Sequence, residues 1–216
     1  MHSMQEEGVI KFHLDFRGAA AVATDTLTEL NRWRNILWQQ ALIGQDPSRY
    51  EGYGFGNVSQ RIGDFNAPRG KRSFIISGTQ TGHLPELDNS HYAHVKTYDA
   101  ASNSVTAEGP IKPSSESLTH GMIYDLDNEI HVVLHVHSPD IWLNADSLGI
   151  PVTDAAVPYG TPKMAEEVHR LFNETDVREK KIFSMGGHED GVVSFGITAD
   201  EAGDVLLRTL DASRNH

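Results

Sequence analysis

Apolar side chains recur along this chain in two rhythms. At Leu30, Trp33, Ile36, Leu37 and Ala41, at Met164, Ala165, Val168, Leu171 and Phe172, and at Ala202, Val205, Leu206 and Leu210, they return at three- and four-residue steps. That spacing marks one face of a helix. Each stretch carries a start signal. Thr26-Leu27-Thr28-Glu29 and Thr198-Ala199-Asp200-Glu201 have capping-box spacing, and Thr161-Pro162 places a capping threonine before a proline at the first helical position. The first helix is expected to stop at Gly44. Between them, Ile10 to Phe16, Ser73 to Ile76, His131 to Val136, Ile182 to Met185 and Val192 to Phe195 alternate or run continuously apolar, which predicts strands. Interleaved helices and strands over 216 residues predict a single α/β domain spanning residues 1–216, with no linker, repeat or low-complexity segment.

One of these strands is chemically unusual. In Val132-Val133-Leu134-His135-Val136-His137-Ser138, alternation puts Val132, Leu134 and Val136 on one face. His131, Val133, His135 and His137 share the other. A buried histidine without a partner costs as much as a lost hydrogen bond, and two protonated neighbours would repel. Two explanations fit: His135 bonds a carbonyl or carboxylate while His137 sits in water at the strand end, or both rings ligate a metal.

Composition narrows the chemistry. A formal net charge of -12 argues against nucleic acid as a partner, since phosphates need a basic face. An anionic substrate would have to be held by local amides or a metal. With no cysteine, a transition-metal site must be built from histidine, aspartate or glutamate, and the chain has twelve histidines. The apolar runs are too short for a membrane span, and the opening MHSMQEEGVIKF lacks the basic-then-apolar plan of a signal peptide, so a cytoplasmic protein is expected.

Three loops could hold ligands. Glycine is densest in Gly52-Tyr53-Gly54-Phe55-Gly56-Asn57-Val58-Ser59, where bare backbone amides could approach a phosphate or simply form a surface turn. Ser77-Gly78-Thr79-Gln80-Thr81-Gly82 follows a strand, a place where sheets put either binding loops or plain turns. Lys112-Pro113-Ser114-Ser115-Glu116 enters a helix, so its serines and glutamate could be caps. Glu116 and His120, four apart, could share a helix face as a second metal pair or as a surface hydrogen bond. His188 lies in the turn Gly186-Gly187-His188-Glu189-Asp190-Gly191, while His83, His91, His94 and His169 sit where a solvated ring is expected.

Taken in order, GFGNVS, IISG, KPSSE, HVHS nineteen residues after the glutamate, and a glycine-flanked histidine before a terminal helix resemble the class II aldolase/adducin family, from about Leu30 to Leu210. The resemblance implies a three-layer α/β/α sandwich around a mostly antiparallel central sheet, assembled as a homotetramer with sites between subunits. It implies a zinc ion, or another divalent metal, on His135, His137 and His188. It also implies Glu116 as the acid/base residue, and phosphate held by Gly56, Asn57, Ser77, Gly78, Ser114 and Ser115.

The expected activity is therefore a zinc-dependent aldolase-like lyase of carbohydrate metabolism acting on a small hydroxy-ketone or sugar phosphate. A sugar-phosphate epimerase, decarboxylase or dehydratase of the same family, or a non-catalytic adducin-like module, are the alternatives. Two departures stand out. His188 is followed by Glu189-Asp190 before the expected glycine, and the stretch from Ser138 to Thr161 is short, so that Tyr159 does not align with the tyrosine that serves as proton donor in family aldolases.

Overall fold

The computed structural model describes residues 9–215; the opening MHSMQEEG, read above as lacking a leader's plan, lies outside the described residues. The strands are β1 (His13–Gly18), β2 (Gly44–Gln45), β3 (Gly54–Phe55), β4 (Asn57–Arg61), β5 (Phe74–Ser77), β6 (Tyr92–Asp99), β7 (Ser104–Gly109), β8 (Val132–His137), β9 (Ile182–Ser184) and β10 (Gly191–Gly196). The helices are α1 (Thr28–Gln39), α2 (Ser117–Leu126), α3 (Pro139–Leu143), α4 (Pro162–Glu174), α5 (Val177–Lys180) and α6 (Ala199–Ser213). Eight strands form one sheet in the order β1-β7-β6-β5-β4-β8-β10-β9, and β2 and β3 form a separate ribbon. Among the described strands of the large sheet, β1 and β7 pair in parallel and the other neighbours run antiparallel.

The sheet is covered on both faces. Val58, Ile75, Leu134, Val136 and Val192 pack beneath α1, α3 and α6 through Leu30, Trp33, Ile141, Leu206 and Leu210. Phe74, Ile76, Val133, Val193 and Phe195 pack beneath α2 and α4 through Leu118, Ile123, Val168 and Phe172. This is the three-layer α/β/α sandwich expected, and β8 lies inside it with all six residues buried. The alternation read from the sequence holds, with Val132, Leu134 and Val136 on one face and Val133 on the other.

Helices α4 and α6 begin at their threonines: Thr161 Oγ1 accepts from Met164 N at 3.3 Å and Thr198 Oγ1 from Glu201 N at 3.1 Å. The first expected capping box does not form. A 3₁₀ turn at Thr24–Leu27 runs straight into α1, so Leu27 precedes the helix without a side-chain cap. Nor does α1 reach Gly44; it stops at Gln39, and Ala41 takes φ 55°, turning the chain so that Leu42 and Ile43 enter the core. Strand β1 starts at His13 rather than Ile10, where the His13 amide first meets Asn103 O at 2.8 Å. Met185 lies just past β9.

Helices α1 and α6 touch through Trp33 and Gly203, where an added Cβ would lie 2.1 Å from Trp33 Cε3. Gly203→Ala gains about 1 kcal/mol of helix propensity but drives a methyl into a buried ring, an overpacking cost of about 1–3 kcal/mol before the helices move apart. The ring should win. Urea unfolding is expected to give a lower midpoint for Gly203→Ala; an unchanged or higher midpoint would show that the helices separate at no cost.

Candidate metal centre and active site

The edge of the α2-side face at the end of β8 is polar. His135 and His137 project there, opposite Val193 and Gly191 of β10, and Asn57 of β4 lies opposite His135 on the other side. His188 reaches the same point from the turn between β9 and β10, which is closed by His188 N to Met185 O at 3.0 Å and Gly191 N to His188 O at 2.9 Å. The turn needs its glycine: a Cβ on Gly187 would lie 2.0 Å from Val157 O. All three histidines are buried, and each offers a donor atom within 4.8 Å of the others. Three nitrogen donors at that spacing can grip one divalent ion and leave further coordination positions for a ligand.

Burial, then His188 and then Arg49, push His137 well below the ordinary histidine range. A neutral ring keeps a lone pair for a metal.

Glu116 sits just before α2 and does not cap it with its side chain. Its Oε1 lies 3.8 Å from His188 Nδ1, and the residue is 1% exposed. His120, one turn further along, belongs to a different group: its Nδ1 is 2.6 Å from Ser59 Oγ, which is 2.7 Å from Tyr124 OH. The Glu116–His120 spacing is thus neither a surface hydrogen bond nor a metal pair; burial holds His120 neutral, its pKa down to about 3.

Several neighbours shape the centre. Tyr50 meets His137 edge-on at 4.6 Å between ring centroids, and its hydroxyl donates to Asp190 Oδ2 at 2.5 Å while accepting from Arg49 Nη2 at 2.7 Å. Tyr159 stacks on His188 at 4.3 Å, with Lys11 Nζ 3.5 Å from the tyrosine ring centre. Periodicity does not single out Tyr50 or Lys11: Tyr50 lies in a single 3₁₀ turn, Tyr50–Gly52, and Lys11, though inside the stretch Ile10 to Phe16, is a polar position that lies before β1. Tyr159, singled out in the sequence only as misaligned with a proton donor, lies against a candidate ligand.

Of the expected anion-binding residues, Gly56, Asn57, Gly78, Ser114 and Ser115 line one recess, together with Gly54 and residues 79–82. Ser77 is not among them: its hydroxyl accepts from Val58 N at 3.1 Å, tying β5 to β4. The glycine-dense loop is not a free turn, since Asn57, Val58 and Ser59 are buried in β4. A larger recess of about 550 Å³ lies at the far end of α2, lined by Arg69, Lys71, Tyr98 and Asp125 among others. Asp125 there is already satisfied by Gly70 N and Tyr98 OH, and the three-histidine group is elsewhere.

A family model described as the Class II Aldolase and Adducin N-terminal domain matches residues 48–212. A methylthioribulose-1-phosphate dehydratase of Methylococcus capsulatus is 38% identical over 84 residues, 39% of this chain and 34% of that protein, so the match spans about a third of the relative's length. A sugar-phosphate aldolase from Thermotoga maritima superposes with a TM-score of 0.64 at 17% identity, covering 88% of this chain and 93% of that one. An L-fuculose-1-phosphate aldolase from Thermus thermophilus gives 0.59 at 17% identity, covering 87% and 90%. At these identities the structural likeness establishes the fold.

The buried His120 makes stability depend on pH. Its folded pKa, about 3, lies below the ordinary value of 6.5, so between those values the unfolded chain binds more protons and stability falls as pH falls. Each unit costs about 1 kcal/mol. Urea unfolding of wild type and His120→Asn at pH 7, 6 and 5 should show a shallower pH dependence in the variant, whatever its absolute stability. Parallel curves would place the titration elsewhere.

Proposed function

The chain belongs to the class II aldolase and adducin family, and from that premise we propose that it is a metal-dependent lyase acting on a small phosphorylated hydroxy-ketone. His135, His137 and His188 hold the ion and Glu116 moves the proton. One observation supports this reading most. Three buried imidazoles with donor atoms within 4.8 Å of one another share their surroundings with a carboxylate oxygen 3.8 Å from His188 Nδ1. An all-imidazole set suits zinc, with other divalent ions as alternatives. When bound, such an ion supplies Lewis acidity, stabilising the charge that develops on a substrate oxygen as an enediolate forms.

The chain's own residues do the rest. Glu116, shielded from water beside His188, takes a proton from the substrate and returns it as the bond breaks. Gly56, Asn57, Gly78, Ser114 and Ser115 offer amides and hydroxyls to the phosphate, so an acidic chain can hold an anion without a cluster of arginines. Carbon-carbon cleavage, which splits a ketose phosphate into two carbonyl fragments, is the first form of this reading. Dehydration is the second, favoured by the 38% identity with the methylthioribulose-1-phosphate dehydratase. It would release water and leave one carbon skeleton. A cytoplasmic homotetramer with sites between subunits belongs to the same reading. Among the described residues no helix is long and apolar enough to cross a membrane.

Elemental mass spectrometry tests the metal first: near-stoichiometric zinc is expected in the wild type and none in His135→Ala/His137→Ala. A panel of ketose phosphates then separates the two forms, since cleavage yields an aldehyde fragment and dehydration a product one water lighter. Glu116→Gln should retain metal while turnover drops by about 10²–10⁴-fold. Wild-type protein that takes up no divalent metal, or a Glu116→Gln variant with full turnover, would overturn the reading.

A further inference from the structure

Asn57 stands between the two halves of this site. Its amide Nδ2 lies 3.2 Å from His135 Nδ1, and its Oδ1 is buried with no hydrogen-bond partner among the described residues. The same residue lines the recess with Gly56, Gly78, Ser114 and Ser115. In this orientation the amide N–H donates to Nδ1, which places the imidazole proton on Nε2 and leaves that nitrogen no lone pair for an ion. Turning the amide by 180° exchanges its ends. Oδ1 then accepts from Nδ1–H, freeing Nε2 to ligate and fixing the ring in the manner of a metal ligand's outer partner. The NH₂ group moves to the position where Oδ1 had nothing to accept from, and there it needs an acceptor of its own.

We propose that the Asn57 amide couples the two subsites: an anion in the recess and a divalent ion on the three histidines favour the same amide orientation, so each tightens the binding of the other. This rests on the proposed metal site and adds a regulatory property to it. An unprotonated phosphate oxygen, which only accepts, selects the NH₂ end at the recess and thereby turns Oδ1 toward His135. The effect is reciprocal, since a coupling free energy between two binding sites is shared equally by both ligands. It would make the protein take its metal most firmly when a phosphorylated ligand is present.

The test is zinc affinity by competition with a chromophoric chelator, with and without inorganic phosphate, in wild type, Asn57→Ala and Asn57→Asp. Phosphate should tighten zinc binding about fivefold or more in the wild type. Asn57→Ala should bind zinc roughly tenfold more weakly and show no phosphate effect. Asn57→Asp keeps the shape and still accepts from Nδ1–H, so it should bind zinc at least as tightly as wild type, while its charge opposes phosphate and abolishes the tightening. Zinc binding by this variant also reports that it folds. An equal phosphate effect in Asn57→Ala, as when phosphate touches the ion directly, overturns the coupling. So does wild-type zinc binding that phosphate leaves unchanged, with the metal site itself intact. Failure of the wild type to bind zinc at all overturns the metal site and the coupling together.

Discussion

The structure is organised around a strand that is buried on both faces and yet carries two imidazoles. All six residues of β8 are buried between β4 and β10, with helices above and below. Val132, Leu134 and Val136 pack into an apolar cluster, so that face asks nothing but packing. His135 and His137 cannot be accommodated so simply, because a polar group taken from water must find partners. The remaining elements of the site set what surrounds these rings. β4 brings Asn57 opposite His135, β10 brings Gly191 opposite His137, and the turn before β10 delivers His188.

The α2-side face changes character along its length. Around Phe74, Ile76, Val133 and Val193 it is a plain apolar core. Two residues along β4 from Asn57, Ser59 is linked to His120 and Tyr124 in a chain of short hydrogen bonds. Burial keeps both titratable members of that chain uncharged. This matters energetically: a satisfied neutral hydrogen bond is worth roughly 1 kcal/mol net, whereas a buried charge costs several. The polar chain behind the edge where Glu116 and the three histidines meet therefore adds no charge of its own to the core.

Much of this is legible in the sequence because it follows from periodicity. Helices α4 and α6 are marked by their threonine caps and apolar stripes, and the face assignment of β8 follows from alternation alone. The convergence of His135, His137 and His188 needs the family resemblance, since His188 lies on a turn where spacing says nothing about direction. Strands β4, β6 and β7 are not among the strands expected from the sequence, and for β4 the reason is physical. Its NVSQR reads as polar, yet Asn57, Ser59 and Arg61 are buried and make hydrogen bonds there, Asn57 with His135, Ser59 with His120 and Tyr124, and the Arg61 guanidinium with the carbonyls of Asp64, Phe65 and Asn128. A hydropathy pattern cannot register polar residues that are buried through specific partners. The 3₁₀ turn before α1 and the left-handed Ala41 after it are hidden likewise, being set by how the chain must enter and leave the core.

The Glu189-Asp190 pair, which interrupts the expected pattern after His188, is resolved by what Asp190 touches. Its carboxylate accepts from the Tyr50 hydroxyl and faces Arg49 at 3.8 Å, joining the His188 turn to the segment Arg49-Tyr50-Glu51. That segment is strained, with Tyr50 at φ 48° and Glu51 at φ 57°, and Asp190 itself lies at φ 61°. Left-handed residues of this kind cost about 1–2 kcal/mol each. A hydrogen bond to a charged group returns about 1.5–3 kcal/mol, and the Tyr50 ring adds its edge contact with His137. The insertion therefore braces the turn instead of displacing its histidine. Arg49 completes the arrangement: it faces the carboxylate of Asp190, and after burial and His188 it is the third influence opposing protonation of His137. The arginine that pairs with Asp190 thus helps to keep the His137 ring neutral and its lone pair available.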